Sequence, residues 1–136
     1  MLDFSISHLA IPEIRKSLGN GKSIDAIAIE AINDGSIIGD LVFTFKSWLE
    51  DENMFVIGST IYTQERGFAK RIITYGIENI SKFASENCVN IHHCTEFLSD
   101  DSWKKLAPIY AGLGYTLIKD DIKGNLERIY RNYRSQ

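Results

Sequence analysis

The chain has 136 residues, 44% hydrophobic and 24% charged, proportions that exclude a disordered tail and a fibrous repeat. Its 15 Lys and Arg stand against 18 Asp and Glu, a formal net charge of −3, which disfavours non-specific nucleic-acid binding because that needs surplus cations to displace counterions. No apolar run approaches the ~20 residues of a membrane span, and Met1-Leu2-Asp3-Phe4 does not open like a secretory signal, so one cytoplasmic domain over residues 1–136 is expected.

Leu9 to Leu18 reads as a short helix, with Ile11, Ile14 and Leu18 on one face and Gly19-Asn20-Gly21 as its stop. Ile24 to Ile32 alternates with the period of a strand. Asn33-Asp34-Gly35-Ser36 is a hairpin signal, since glycine at a central turn position supplies positive φ. Ile37 to Trp48 is the returning strand, and Gly39 within it predicts a bulge or a close backbone approach. After the polar turn Glu50-Asp51-Glu52-Asn53, Met54 to Tyr62 completes an antiparallel meander.

The period then changes. Phe68, Ile72, Ile73, Ile77, Ile80, Phe83 and Ala84 form the stripe of an amphipathic helix ending near Asn87. Val89 to Thr95 is a short strand, expected parallel to the third because a long helix is the usual crossover between parallel neighbours. A second helix over about Ser102 to Leu113 turns Trp103, Leu106, Ala107, Tyr110 and Leu113 inward, with Pro108 predicting a kink. Tyr115 to Ile118 and Leu126 to Tyr133 read as the last two strands. The fold class is α+β, a mixed sheet of antiparallel meander plus parallel crossover, flanked by helices.

Chemistry concentrates at Gln64-Glu65-Arg66-Gly67-Phe68-Ala69, which joins a strand end to the start of the longest helix. Amides there have no intrahelical acceptor, and the helix dipole adds partial positive charge. Gly67 and Ala69 leave the backbone approachable, and Lys70 and Arg71 add full charge, so a phosphate or pyrophosphate site is the physical expectation. A turn glycine beside solvated cations is the bland alternative on these residues alone. His92, His93 and Cys94 lie together on a strand, but a zinc site wants four ligands and the two cysteines, Cys88 and Cys94, fit no metal or redox spacing. Reduced thiols and ordinary packing are expected, with no metal.

The pattern Gln64-x-x-Gly67-x-Ala69 resembles the acyl-coenzyme-A loop of the GNAT superfamily of N-acetyltransferases, with Ile72-Ile73 where that family usually has a leucine pair. Glu30 to Gly39 is similar to the family's central hairpin, and Ile109-Tyr110-Ala111-Gly112-Leu113-Gly114-Tyr115 to its late helix-to-strand signature. The resemblance covers about residues 25 to 118 and implies a GNAT-like sheet and acetyl-coenzyme A as co-substrate. It assigns the pyrophosphate to Gln64, Arg66, Gly67, Phe68, Ala69, Lys70 and Arg71, and the pantetheine arm to the free edge of the third strand at Ile61. It makes Tyr110 the proton donor to the departing thiolate.

The implied activity is direct transfer of an acetyl group to a primary amine of a small molecule or a protein lysine, with no membrane partner and room for a homodimer. The sequence departs from the family in four places. Met54 to Tyr62 contains no acid where many members carry a base, Trp103 stands where an Asn is frequent, Pro108 interrupts the last helix, and the region before the hairpin is short. The base candidates are Glu96, then His93 and His92, or ordered water alone. The missing acid favours an alternative, a GNAT-fold module that binds acyl-coenzyme A or a protein without catalysis. Arg128, Arg131 and Arg134 with Tyr130 and Tyr133 offer a third, nucleic-acid reading that the net negative charge opposes.

Overall fold

The computed structural model describes residues 2–7, 26–63, 67–95, 100–118 and 126–131. In chain order these form β1 (Leu2–Ser7), β2 (Ala26–Asn33), β3 (Ser36–Leu49), β4 (Met54–Thr63), α1 (Ala69–Glu86), β5 (Asn90–Thr95), α2 (Asp100–Gly112), β6 (Thr116–Leu117) and β7 (Leu126–Tyr130). A 3₁₀ turn at Glu50–Glu52 joins β3 to β4. The strands make one seven-stranded sheet in the order β1-β2-β3-β4-β5-β7-β6. β4 and β5 are parallel and every other pair is antiparallel, so the predicted meander and crossover are both present.

β1 was not anticipated. It pairs antiparallel with β2 from Leu2↔Asn33 to Ser7↔Ala28 and forms one edge of the sheet. Its sequence alternates Leu2, Phe4 and Ile6 with Asp3, Ser5 and Ser7, the period of a strand. The helix expected over Leu9 to Leu18, the start of the strand at Ile24, the turn at 120–125 and the final residues of the last strand lie outside the described residues.

The turn between β2 and β3 has Asp34 at φ 51° and Gly35 at φ 81°. Two successive left-handed residues match the twist of a hairpin, which explains the Asp-Gly pair. Gly39 fulfils both halves of its expectation. The register of β2 on β3 shifts between Ala31 and Ile32, so Ile38 is the extra residue beside Gly39. A Cβ on Gly39 would also lie 2.5 Å from the Tyr62 carbonyl oxygen, which only glycine avoids.

Both helices lie on one face of the sheet. α1 turns Ile72, Ile73, Ile77, Ile80 and Phe83 onto it, as the 3.6-residue stripe requires. Its Gly76 sits so close that a Cβ there would overlap the side chains of Leu41 and Phe43. Phe45, Phe55 and Phe83 meet in tilted and edge contacts with centroids 5.1–6.4 Å apart. Each such aromatic contributes roughly 1.5–3 kcal/mol by leaving water. α2 carries Tyr110 into the core, with Trp103, Leu106, Ala107 and Leu113 packed against it, while Pro108 stands on its exposed side. Among the described residues, no helix is long and apolar enough to cross a membrane.

Candidate active site at the parallel strand pair

Among the described residues the parallel ladder of β4 and β5 runs from Met54↔Asn90 to Ser59↔Thr95. β4 continues to Thr63, but residues Thr60 to Thr63 pair only with Val42 to Gly39 of β3. Beyond Ser59 the other edge of β4 has no ladder partner among the described residues. Ile61 lies on this stretch, half-buried, with Tyr62 exposed beside it.

The same strand leads to the start of α1. Gly67 has φ +90° and is exposed, and a Cβ on it would meet nothing within 4 Å. The first bond of the helix runs from the Ile72 N–H to the Phe68 carbonyl, so the amides just before it have no acceptor within the helix. Phe68 offers no side-chain cap, the first turn holds no acid, and Lys70 and Arg71 are exposed. Open space, unused amides and uncompensated cations fit an anionic ligand such as a pyrophosphate. Phe68 and Ala69 are half-buried beneath this surface. Gln64, Arg66 and Glu96 lie outside the described residues.

Tyr110 reaches the last rung of the ladder from α2. Its side chain is 1% exposed, and its hydroxyl hydrogen-bonds with Thr95 and Ser59, which are register partners at the last described rung. Burial pushes its pKa up to about 12, so the phenol keeps its proton at neutral pH. The ring packs edge-on to Tyr115, with centroids 5.1 Å apart, and against His93.

A buried polar chain that the sequence reading missed runs on from this point. His93 Nε2 lies 2.8 Å from Ser59 Oγ and its Nδ1 lies 2.5 Å from the Tyr115 hydroxyl. The Tyr115 hydroxyl is 2.8 Å from that of Tyr130. Arg128 stacks 4.6 Å above the Tyr130 ring and donates to the Leu113 carbonyl. Burial holds Tyr115 well above the usual phenol range and also raises Tyr130. It also lowers His93 to about 3, helped by the charges of His92 and Lys46. The ring is therefore neutral, donating from one nitrogen and accepting at the other.

A neutral His93 with both ring nitrogens hydrogen-bonded is a poor proton acceptor. His92 stands on the opposite face of the sheet, as the alternation along β5 predicts. The buried polar residues among those described are Ser59, Asn90, His93 and Thr95, and no carboxylate is among them. The signal that could have revealed the chain is the run of polar residues on the buried parity of β4 and β5, Ser59 with His93 and Thr95.

The lowered pKa of His93 makes stability depend on pH. The unfolded chain binds a proton near pH 6.5, the folded chain only near pH 3. His93's contribution is complete above pH 6.5 and is lost as pH falls from there towards 3, by up to about tenfold per pH unit in the folding constant. Urea unfolding at pH 7 and pH 5 should show a larger loss for the wild type than for His93→Gln, which keeps a neutral hydrogen-bonding side chain. Equal losses would place the titration elsewhere.

No family model and no curated protein matches the sequence. In structure the chain is similar to a GNAT-family acetyltransferase from Staphylococcus aureus MU50, with TM-score 0.59 and 14% identity over 95% of this chain and 100% of that one. It is similar to an acyl-CoA N-acyltransferase from Pseudomonas aeruginosa, with TM-score 0.55 and 13% identity over 96% and 100% of the two chains. Escherichia coli ElaA gives TM-score 0.56 and 11% identity over 96% and 100%. The chain thus has the GNAT fold, over the described residues a mixed seven-stranded sheet with one parallel pair, β4 and β5.

Proposed function

We propose that this protein is an acyl-coenzyme-A-dependent N-acetyltransferase acting on a primary amine. The observation that carries the reading is the coincidence of three features at one place. The edge of β4 beyond Ser59 has no ladder partner among the described residues, amides without a helix acceptor lie at Gly67 and the start of α1, and the Tyr110 hydroxyl is held at Ser59 and Thr95.

On this reading the amides from Gly67 to Arg71, with Lys70 and Arg71, hold the pyrophosphate, and Gln64 and Arg66 complete the loop. The free edge of β4 at Ile61 pairs with the amide groups of the pantetheine arm, as one strand pairs with another. The thioester supplies an activated acyl group. A backbone N–H of β4 polarises its carbonyl, as in an oxyanion hole. A neutral amine attacks the carbonyl carbon, the carbon–sulfur bond breaks, and Tyr110 gives its proton to the sulfur. The amine's proton leaves to water or to Glu96. Positioning provides most of the acceleration.

Thermal unfolding with and without acetyl-coenzyme A tests this. At about 100 times its dissociation constant the ligand should add ~2.7 kcal/mol, a rise of several degrees for a chain of this size. No shift at millimolar ligand would overturn the proposal. The strand Met54 to Tyr62, which contains no acid, favours a second reading, a module that binds acyl-coenzyme A without catalysis. It becomes the better account if the protein binds the ligand and acetylates nothing across amine and whole-proteome substrate panels.

A further inference from the structure

On the sheet face turned away from Tyr110, three donor side chains converge. Alternation along β5 sends His92 and Cys94 to this face, and Glu127 of β7 is the register partner of Cys94. His92 Nε2 is 2.7 Å from Glu127 Oε2 and 3.5 Å from Cys94 Sγ. All three donor atoms lie within 4.8 Å of one another.

A ring nitrogen carries either one proton or one lone pair. With a proton, Nε2 donates to Glu127 Oε2 at 2.7 Å; with a lone pair, it is able to bind a cation. A cation between the three would be liganded by imidazole, thiolate and carboxylate at once.

We propose that His92, Cys94 and Glu127 form a zinc-binding site on the outer face of β5 and β7. Imidazole, thiolate and carboxylate are zinc's usual ligands, at about 2.0–2.1 Å, 2.3 Å and 2.0–2.2 Å. Tetrahedral bonds of those lengths put donor atoms roughly 3.3–3.6 Å apart. The nitrogen–sulfur separation already fits, the nitrogen–oxygen separation needs to open by little more than half an ångström, and the sulfur–oxygen separation, within 4.8 Å, needs to close by up to about 1.2 Å, changes within reach of small side-chain rotations. A thiolate and a carboxylate together neutralise a divalent ion. The side chains of His92 and Glu127 are 26% and 35% exposed, so the ion can enter and water can fill the fourth position. Three protein ligands and an open position are the pattern of reactive rather than purely structural zinc sites. The inference is independent of acetyl transfer.

The test uses the full chain, freed of metal with a chelator, and cobalt(II) as the spectroscopic probe for zinc(II). The wild type should bind one equivalent with a near-ultraviolet thiolate-to-cobalt band and visible bands of tetrahedral strength, all bleached by one equivalent of zinc. Cys94→Ser should lose the near-ultraviolet band. Glu127→Gln should keep that band but weaken zinc binding by more than about tenfold against a chromophoric competitor, since even outer partners of metal ligands are worth that much. Cys88→Ser, with Cys88 on the exposed loop before β5, should behave as wild type. A wild type without the band overturns the proposal. So does a band that depends on Cys88, or a Glu127→Gln variant that binds zinc as tightly as wild type.

Discussion

Tyr110→Phe should lower acetyl-transfer turnover by about 10²–10⁴, the usual worth of a positioned acid or base, and leave acetyl-coenzyme A affinity almost unchanged. The ring packs against Tyr115 and His93, and phenylalanine keeps that packing. What is lost is the hydroxyl between Thr95 and Ser59, which costs about 1 kcal/mol of stability for its two partners. With the phenol pushed up to about 12, against about 8.5 for a free thiol, full proton transfer looks uphill. The same burial raises the proton affinity of a thiolate at that rung, so donor and leaving group shift together. Tyr110 also stays protonated across the neutral range, so the loss should be equal at pH 6 and pH 9. Steady-state kinetics at both values checks this, and an unimpaired variant would make Tyr110 a packing residue.

Gly67→Glu should bring acetyl-coenzyme A binding below detection. The new side chain would project into open space, where a pyrophosphate would lie, carrying bulk and negative charge against it. Because φ is +90° at this position, any side chain also brings backbone strain of order 1–3 kcal/mol. Gly67→Ala has the same strain without the charge, so it should retain most of the binding. Isothermal titration of both variants, with unfolding curves to confirm that each is folded, separates the effects. Equal affinity in the Glu variant and the wild type would remove the pyrophosphate from this loop.

The parts of the fold that were legible in the sequence are those fixed by short-range pattern. The stripe from Phe68 to Ala84 defines α1 because a helix needs one apolar face, and Asp34-Gly35 defines the hairpin because two left-handed residues are needed there. β1 was equally legible in the alternation of Leu2, Phe4 and Ile6, and went unread because it is short and precedes an apparent helix. The site divides along the same line. The free amides before Ile72 follow from a helix start, and the stretch of β4 beyond Ser59 is one whose β5-side partner is not found among the described residues. The chain from Ser59 through His93 and Tyr115 to Tyr130 was not legible. Its members come from four separate stretches, and only the register of β5 between β4 and β7 brings them together. Glu127 reaches His92 and Cys94 for the same reason.

That register also orders the assembly of the molecule. β2, β3 and β4 are joined by the turn at Asp34-Gly35 and by residues 50–53, so closing them costs little chain entropy. β5 meets β4 only across residues 64–89, and β7 meets β5 only across residues 96–125. Distant pairings bring no gain until their loops have closed. The half of the sheet holding His93, Tyr115 and Tyr130 is therefore expected to be added late, onto the meander. Contacts that form after the folding barrier leave the folding rate almost untouched and act on the rate of unfolding. The buried tyrosine–histidine chain is then expected to act as a latch on the native protein, so that Tyr115→Phe speeds unfolding in stopped-flow kinetics and leaves refolding almost unchanged.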